Sequence, residues 1–418
     1  MTILNRFLKY ISIPTASNSK NIDTPSTKEQ WILAKHLYTE MYELGLDNIF
    51  FDREHCYLYG YLKGNSPSRS SVGFIAHMDT SEDVNSDNIN PQIIENYNGD
   101  DIKLNEKVIL DVDSNPDLLN HIGKTLITTD GNTLLGADDK AGIAEIMAML
   151  EHFKSTNEPH GDIYVAFTPD EEIGKGTKYF NFYQFKPDFA YTVDGEYLGE
   201  FSYENFNAAT ATIKIKGNNI HPGHAKNKMI NAILLGNAIN SELPNEIPSN
   251  TEDREGFYHL TEFNGNVEYC ELKYLIRDHD RNNFEKKKEL LRTIITVLNK
   301  KYRNCISLEI ENTYFNMYDV IKQNKDIIKN TNNAIKKLNI EPITKPIRGG
   351  TDGANLSQKG LPCPNLGTGG HNFHSIYEYI ALEDMIKTSE ILISIVKNSV
   401  IENTNEGKAY QKNRKIES

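Results

Sequence analysis

The sequence predicts an α/β fold: a mixed, mostly parallel sheet flanked by helices, with a smaller α+β domain inserted into this first domain. Three observations support the prediction. Several short apolar runs end directly in acidic residues or histidine, as buried parallel strands do at a sheet edge. A helical pattern separates the first two of these runs. The periodicity then changes near Phe206 and returns to the first type after Met317.

The first domain begins with a predicted amphipathic helix. Thr27 and Gln30 have the spacing of a capping box near its start. Apolar residues recur at helical intervals ahead of Gly45, namely Leu33, Leu37, Met41 and Leu44. Because glycine is the usual residue just beyond a helix C-terminus, we expect the helix to end there.

Three apolar runs follow, and each predicts a buried strand: residues 72–76, 163–167 and 189–193. A predicted helix with one apolar face, residues 141–153, lies between the first two. A strand, a helix and a second strand in this order indicate parallel pairing. We therefore expect the polar residues that follow these strands to meet at one edge of the sheet.

The remaining chain is predicted to form the inserted domain and then to complete the first one. In the inserted domain, strands are predicted at 211–216 and 273–276 and helices at 229–243 and 283–298. After Met317 come a helix near 321–338, a loop at 348–353 and a final helix at 382–396. The predicted boundaries are 1–205 and 319–418 for the first domain, with a polar tail from about 403, and 206–318 for the inserted domain.

Composition narrows the functional class. The chain has 418 residues, a formal net charge of −13 and a pI near 5.5. Such a charge disfavours nucleic acid and anionic membranes, which attract clustered Lys and Arg. The four cysteines are dispersed and predict no disulfide framework, and neither a secretory signal nor a membrane span is indicated. We expect a soluble cytoplasmic protein, monomeric or homodimeric, with a small substrate.

Five polar segments together contain a ligand set for two metal ions. They are His77 with Asp79, Asp138, Glu171 with Glu172, Asp194, and His374. Each segment alone is common in an acidic chain. Asp138 is equally suited to a helix N-cap, with Asp139 interacting with the helix dipole, and His371 competes with His374. Together, at the ends of predicted strands, the five segments predict a metal centre.

Each of these residues has a predicted role. Asp138 bridges two ions, His77 and Asp194 complete one site, and Glu172 and His374 complete the other. Asp79 accepts the second ring N–H of His77, and Glu171 stays outside the ligand set as a general base. Two neighbouring ions activate water and stabilise an oxyanion, so this set predicts metal-assisted amide hydrolysis.

Three of these regions resemble a known family. The segments GFIAHMDT (73–80), LGADDKAG (135–142) and FTPDEEIG (167–174) are similar to the dizinc metallopeptidases that include aminoacylase, glutamate-type carboxypeptidases, succinyl-diaminopimelate desuccinylase and the dipeptidase peptidase V. Segments 217–223, 276–281 and 345–353 resemble the tripeptide aminopeptidases of that family. The resemblance covers nearly the whole chain. It implies a catalytic domain with an inserted lid, the same ligand roles, and two zinc ions per subunit, with cobalt or manganese as substitutes.

The resemblance also implies substrate contacts. His221 matches a histidine that donates to the oxyanion, and Arg277 and Arg348 match arginines that bind the peptide carboxylate. The alternatives are a turn residue for His221 and a surface ion pair for each arginine. Three residues depart from the family pattern: Glu196, His224 and His371. They bear on substrate preference rather than on the reaction.

The sequence therefore predicts a cytoplasmic dizinc aminopeptidase that releases the N-terminal residue from tripeptides with a free N-terminus. One alternative keeps the chemistry but changes the substrate: a dipeptidase, a carboxypeptidase or an N-acyl amino acid deacylase. The other is a zinc-loaded peptide-binding protein without catalysis. The unligated carboxylates Asp79 and Glu171 argue against it, because a binding protein needs no general base.

Overall fold

The computed structural model describes residues 1–66 and 69–399, and the predicted polar tail lies outside the described residues. Backbone contacts divide the chain into two compact units. Unit 1 comprises Met1–Phe201, Asn324–Ile343 and the described chain from Leu361 onward, and unit 2 comprises Ser202–Gln323 and Thr344–Gly360. No helix within the two described ranges is long and apolar enough to cross a membrane.

The bounds of the secondary structure are as follows. The α-helices are α1 (Ile3–Ile11), α2 (Gln30–Leu44), α3 (Ala137–Thr156), α4 (Ala232–Glu242), α5 (Arg281–Lys301), α6 (Tyr318–Ile321), α7 (Lys325–Lys336), α8 (Asp352–Gln358) and α9 (Leu382–Asn398). Short 3-10 helices lie at Pro116–His121, Pro222–His224 and Pro248–Asn250. The strands are β1 (Asn48–Phe51), β2 (Leu58–Leu62), β3 (Val72–His77), β4 (Gln92–Ile94), β5 (Ile102–Lys103), β6 (Ile109–Leu110), β7 (Leu126–Thr128), β8 (Ile163–Thr168), β9 (Phe189–Gly195), β10 (Phe201–Ser202), β11 (Asn207–Lys216), β12 (Phe257–Gly265), β13 (Tyr269–Asp278), β14 (Ile306–Tyr314), β15 (Asn365–Gly367), β16 (Gly370–His371) and β17 (Tyr379–Ala381).

Unit 1 is built around a seven-stranded sheet with the order β1-β2-β8-β3-β9-β15-β10. Strands β8, β3, β9 and β15 are parallel to their neighbours in this series, whereas β2 runs antiparallel to both β1 and β8. The predicted mixed α/β sheet is therefore confirmed. Strands β3 and β8 are buried along their whole length, as expected when helices cover both faces of a parallel sheet.

Helix α3 anchors this sheet. It packs against β3 and β9 and also contacts α1 and α9. Its side chains Ile143, Met147 and Leu150 are fully buried, and each such burial stabilises the fold by about 1.5–3 kcal/mol. A second sheet of unit 1, with the order β16-β17-β7-β4, is antiparallel. Helix α3 contacts β16, and α9 contacts β17.

Unit 2 contains an antiparallel sheet with the order β12-β13-β11-β14. Buried and less buried residues alternate regularly along β13, because one face of an antiparallel sheet packs on a core while the other stays more open. Helices α4 and α5 both pack against β11 and β13. The predicted α+β composition of the inserted domain agrees with these elements.

The division into units differs from the predicted boundaries mainly in one stretch, with smaller shifts at 202–205 and 319–323. The sequence assigns all of 319–418 to the first domain, but Thr344–Gly360 groups with unit 2. Ile347 forms a β-bridge with Asn205, and the Arg348 side chain donates to backbone oxygens of Asp253 and Glu255. These contacts join residues far apart in sequence, which periodicity does not reveal.

Two local predictions are wrong. The capping box is not formed, because α2 begins at Gln30 itself and the Gln30 side-chain oxygen accepts the backbone N–H of Asp170 instead of that of Thr27. The helix predicted near 321–338 consists of the two helices α6 and α7, because Asn324 adopts a non-helical conformation between them.

Candidate active site

The predicted site residues of unit 1 lie at the carboxyl ends of neighbouring parallel strands. His77 is the last residue of β3, Asp194 is near the end of β9, and the Glu171–Glu172 pair follows β8. Asp138 lies in the first turn of α3, and His374 lies between β16 and β17. The strand order places β3 between β8 and β9, so the three strand ends deliver their polar residues to the same edge.

Two groups of metal-ligating atoms share Asp138. The first cluster is His77, Asp138 and Asp194, and the second cluster is Asp138, Glu172 and His374. Nε2 of His77 is 2.9 Å from Oδ1 of Asp138 and 3.2 Å from Oδ1 of Asp194. Nε2 of His374 is 3.0 Å from Oδ2 of Asp138 and 3.0 Å from Oε2 of Glu172. Asp138 therefore faces each cluster with a different oxygen, as a bridging carboxylate does.

Asp79 fixes the orientation of the His77 ring. Nδ1 of His77 is 3.0 Å from the backbone oxygen of Asp79 and 3.4 Å from its carboxylate Oδ1. Both neighbours are acceptors, so Nδ1 carries a hydrogen, and Nε2 is the ring nitrogen that would bind a metal ion at the first cluster. The sequence predicts a carboxylate contact here, but the backbone oxygen of the same residue is nearer.

The carboxylate of Asp79 also holds the loop after β8. Asp79 is fully buried, and it accepts the backbone N–H of Glu171 at 3.0 Å and of Glu172 at 3.1 Å. Glu172 belongs to the second cluster, whereas Glu171 belongs to neither. One buried carboxylate thus sets the backbone of both a candidate ligand and the candidate general base.

Asp138 and Asp139 do not cap helix α3. The N-cap is Gly136, with φ of 80°, and both aspartates have non-helical dihedral angles. The Asp139 carboxylate is fully buried and accepts the backbone N–H of His77 at 3.1 Å. The predicted cap at Asp138 is therefore wrong, whereas Asp139 lies in the first turn of α3 as predicted, and its side chain also holds the end of β3.

Ionisable side chains are crowded together in the two clusters, and their pKa values are shifted as a result. Burial raises the pKa of Glu172 to about 7 and that of Asp194 to about 6, and the nearby charge of Asp138 adds to both shifts. Hydrogen bonds to Asp138 and Glu172 raise the pKa of His374 to about 11. Burial lowers the pKa of His77, but the neighbouring Asp194 and Asp138 outweigh it and raise it well above its usual range. Crowded carboxylates of this kind favour a bound cation.

Two buried carboxylates outside the predicted set support these loops. Asp170 accepts the backbone N–H and the hydroxyl of Ser26 and the side-chain amide of Gln30, at 2.6 to 3.0 Å. Glu378 accepts three backbone N–H groups around Asp138. The only feature of the sequence that points to Asp170 is its partner Gln30, which lies within the capping-box pattern. Nothing in the sequence near Glu378 indicates its distant partners.

The predicted substrate residues lie in unit 2. His221 is exposed and caps the short 3-10 helix Pro222–His224, and its Nδ1 accepts the N–H of Gly223, which leaves Nε2 to donate. The Arg277 guanidinium lies 5.9 Å from the ring centroid of Phe257 and is partly exposed, and its Nε is buried without a hydrogen-bond partner among the described residues.

Arg348 is bound within unit 2. Its Nη1 donates to the backbone oxygens of Asp253 and Glu255, and its Nη2 donates to the backbone oxygen and hydroxyl of Thr251. All four terminal N–H groups are thus used by one loop, and the guanidinium also faces the ring of Phe206 at 5.1 Å. This geometry indicates that Arg348 holds the loop. It speaks against the predicted role of Arg348 in binding a peptide carboxylate.

The three departures from the family pattern have different surroundings. His371 is buried, and its Nε2 is 3.1 Å from Nε2 of His121. Burial, with a smaller effect of His121, lowers the pKa of His371 to about 4. It belongs to neither cluster, so His374 is the histidine of the second cluster. Glu196 and His224 are exposed.

Comparison with known proteins places the chain. The model of peptidase family M20/M25/M40 matches residues 124–398. The chain belongs to this family. A curated relative from Caldanaerobacter subterraneus subsp. tengcongensis, named Peptidase T, is 50% identical over 401 residues, which is 94% of this chain and 98% of the relative.

Solved structures agree with the M20/M25/M40 assignment at the level of the fold. The aminopeptidase PepT from Bacillus cereus superposes with a TM-score of 0.77 at 21% identity, covering 95% of this chain and 98% of that one. A tripeptidase from Staphylococcus aureus has a TM-score of 0.75 at 20% identity, covering 94% and 97%. Within the family fold, the two clusters of imidazole and carboxylate donors support a metal cofactor.

Proposed function

We propose that this protein is a metal-dependent aminopeptidase that releases the N-terminal residue of tripeptides. The observation that carries the proposal is the pair of clusters joined at Asp138, beside a glutamate, Glu171, that belongs to neither. A relative named Peptidase T at 50% identity supports the choice of substrate, and so does the structural similarity to a tripeptidase.

We infer two divalent ions per subunit: His77 with Asp194 would hold one, His374 with Glu172 would hold the other, and Asp138 would contribute to both. Two imidazoles and three carboxylates suit zinc, and they also suit cobalt or manganese. When bound, such a pair of ions lowers the pKa of a water molecule and polarises the scissile carbonyl.

The residues around the clusters then carry the proton chemistry. Glu171 takes a proton from the attacking water and passes it to the leaving amine, so that one side chain acts as base and then as acid. Asp79 keeps Glu171 in place through the backbone N–H at 3.0 Å. Asp79 also maintains the His77 tautomer, because its backbone oxygen lies 3.0 Å from Nδ1.

The roles of the unit 2 residues stay predictions. We propose that His221 donates to the oxyanion with Nε2, because its Nδ1 already accepts a backbone N–H. We propose Arg277 as the partner of the peptide carboxylate, because its guanidinium lies against the rings of Phe257 and Tyr314 and the residue is partly exposed. The cytoplasmic location and the monomeric or homodimeric state also stay predictions.

A substrate comparison tests the proposal. The purified protein, first stripped with a chelator and then reloaded with zinc, is given a free tripeptide, the same tripeptide with an acetylated N-terminus, and a dipeptide. We expect release of the N-terminal amino acid from the free tripeptide, only after metal is restored. Cleavage of the acetylated peptide would indicate a deacylase or carboxypeptidase instead, preferential cleavage of the dipeptide a dipeptidase, and binding without any product a peptide-binding protein.

A further inference from the structure

Glu378 is a buried carboxylate that belongs to neither cluster. It is 1% exposed. Its Oε2 accepts the backbone N–H of Leu135 at 2.6 Å and of Gly136 at 2.9 Å, and its Oε1 accepts the backbone N–H of Asp138 at 3.1 Å. Both oxygens therefore point at peptide groups, so Glu378 is not itself a metal ligand in this arrangement.

The peptide groups that Glu378 binds need such a partner. Gly136 has φ of 80°, and Asp138 departs from helical geometry. N–H groups at a helix start have no acceptor within the helix, and a buried N–H without a partner destabilises the fold. The carboxylate of Glu378 satisfies three of them and fixes the backbone on which the shared residue of both clusters stands.

Glu378 and His374 lie in the same loop, between β16 and β17. Strands β16 and β17 pair with each other, and β17 pairs with β7, so the loop between them is tied at both ends. The Thr129 hydroxyl donates to the backbone oxygen of Ile376 at 2.5 Å, within this loop. His374 and Glu378 are therefore two points of one fixed loop, one in the second cluster and one under the backbone of Asp138.

We propose that Glu378 is a positioning residue that couples the two metal sites, by holding the backbone of Asp138 in register with His374. The inference rests on the proposed metal centre. Because Asp138 belongs to both clusters, loss of the Glu378 contact should weaken both sites together. Loss of a ligand of one cluster should weaken that site alone. This difference separates a positioning role from a ligand role.

The central variant is Glu378→Gln. Its amide oxygen can still accept from Leu135 and Gly136, but its NH2 group then meets the N–H of Asp138, donor against donor. We expect zinc affinity, measured on the stripped full-length protein by competition with a chromophoric chelator, to fall about 10- to 100-fold at both sites. His374→Asn is the comparator, with one site weakened and the first cluster retained.

Glu145→Gln is the matched control. Glu145 is also fully buried, in α3, and neither of its carboxylate oxygens has a hydrogen-bond partner among the described residues. Burial raises the pKa of Glu145 well above its usual range, so glutamine imitates its neutral form. We expect unchanged zinc affinity at both sites. Melting curves of the metal-free proteins show whether each variant is folded at the assay temperature.

Several outcomes would overturn the inference. One is wild-type affinity at both sites in Glu378→Gln, and another is a loss at only one site. If that variant does not fold, amide hydrogen exchange of the metal-free wild-type protein is the test. We expect the backbone N–H groups of 135–138 to be protected. Exchange at the rate of an open loop would show that Glu378 does not hold this segment. A wild-type protein that binds two ions but cleaves no tripeptide would defeat the proposed function and leave this inference standing.

Discussion

The predicted site residues of unit 1 and the predicted substrate residues of unit 2 differ in how closely the fold brings them together. At the sheet edge, side chains from five separated segments lie within hydrogen-bonding distance. In unit 2, His221 is exposed in a turn, Arg277 lies against aromatic rings, and Arg348 is used by a loop. Residues that follow parallel strands lie at the same edge of the sheet. Residues in turns and loops have no such common position.

The largest expected effect lies on the unit 1 side. Glu171→Gln removes the general base but no ligand, so kcat should fall about 10²- to 10⁴-fold while zinc content is unchanged. The measurement is steady-state hydrolysis of a tripeptide together with metal analysis of the same sample. Full turnover with two bound ions would remove Glu171 from the mechanism and leave the sheet edge as a metal site only.

Arg277 provides the corresponding test in unit 2. Arg277→Lys keeps the charge but loses the planar guanidinium, so kcat/KM for a tripeptide should fall about 10- to 100-fold. The same tripeptide with a C-terminal amide is the control, because it lacks the carboxylate and should be cleaved equally by both proteins. An equal loss on acid and amide would show that Arg277 supports the fold of unit 2 rather than the substrate.

Two buried histidines, one in each unit, allow a comparison of acid stability. Burial lowers the pKa of His371 to about 4, with a smaller effect of His121, and burial likewise lowers the pKa of His279 to about 4. Between pH 6.5 and 4 the unfolded chain binds the proton and the folded protein does not, so stability falls as pH falls through this window.

Replacing either histidine with phenylalanine should reduce that loss. Each site contributes about 2 kcal/mol to the difference in unfolding free energy between pH 7 and pH 5, measured by urea denaturation at both pH values. The unaltered protein provides the reference for all other titrating groups. A variant with the same pH dependence as wild type would mean that its histidine is protonated in the folded state.

The positions of the residues at the strand ends could be predicted from the sequence, because the local apolar pattern is enough to locate the strands. His77 and Asp194 are placed by the strands that carry them, and β3 pairs in parallel with β8 and β9 as strand, helix and strand imply. The roles of the supporting residues could not be predicted in the same way. Glu378 lies 240 positions from Asp138, and Gln30 lies 140 positions from Asp170.

Local rules failed where a distant partner competed for the same group. The spacing of Thr27 and Gln30 is that of a capping box, but the buried Asp170 takes the glutamine amide at 2.7 Å. Asp138 has the position of an N-cap, but its carboxylate oxygens lie beside His77 and His374 instead. A hydrogen bond in a buried site is stronger than one exposed to water, so the long-range contact prevails.

Arg348 provides the smallest expected effect on catalysis and the sharpest contrast with Arg277. Arg348→Gln should leave kcat/KM for the tripeptide and for its amide within about 3-fold of wild type, because its terminal N–H groups already donate to Thr251, Asp253 and Glu255. The free energy of unfolding should fall by about 1 kcal/mol, measured by urea denaturation, because the largely exposed loop 251–255 loses several hydrogen bonds. A selective loss on the carboxylate substrate would restore Arg348 as a substrate contact, and would show that the motif containing it predicted function better than its hydrogen bonds do.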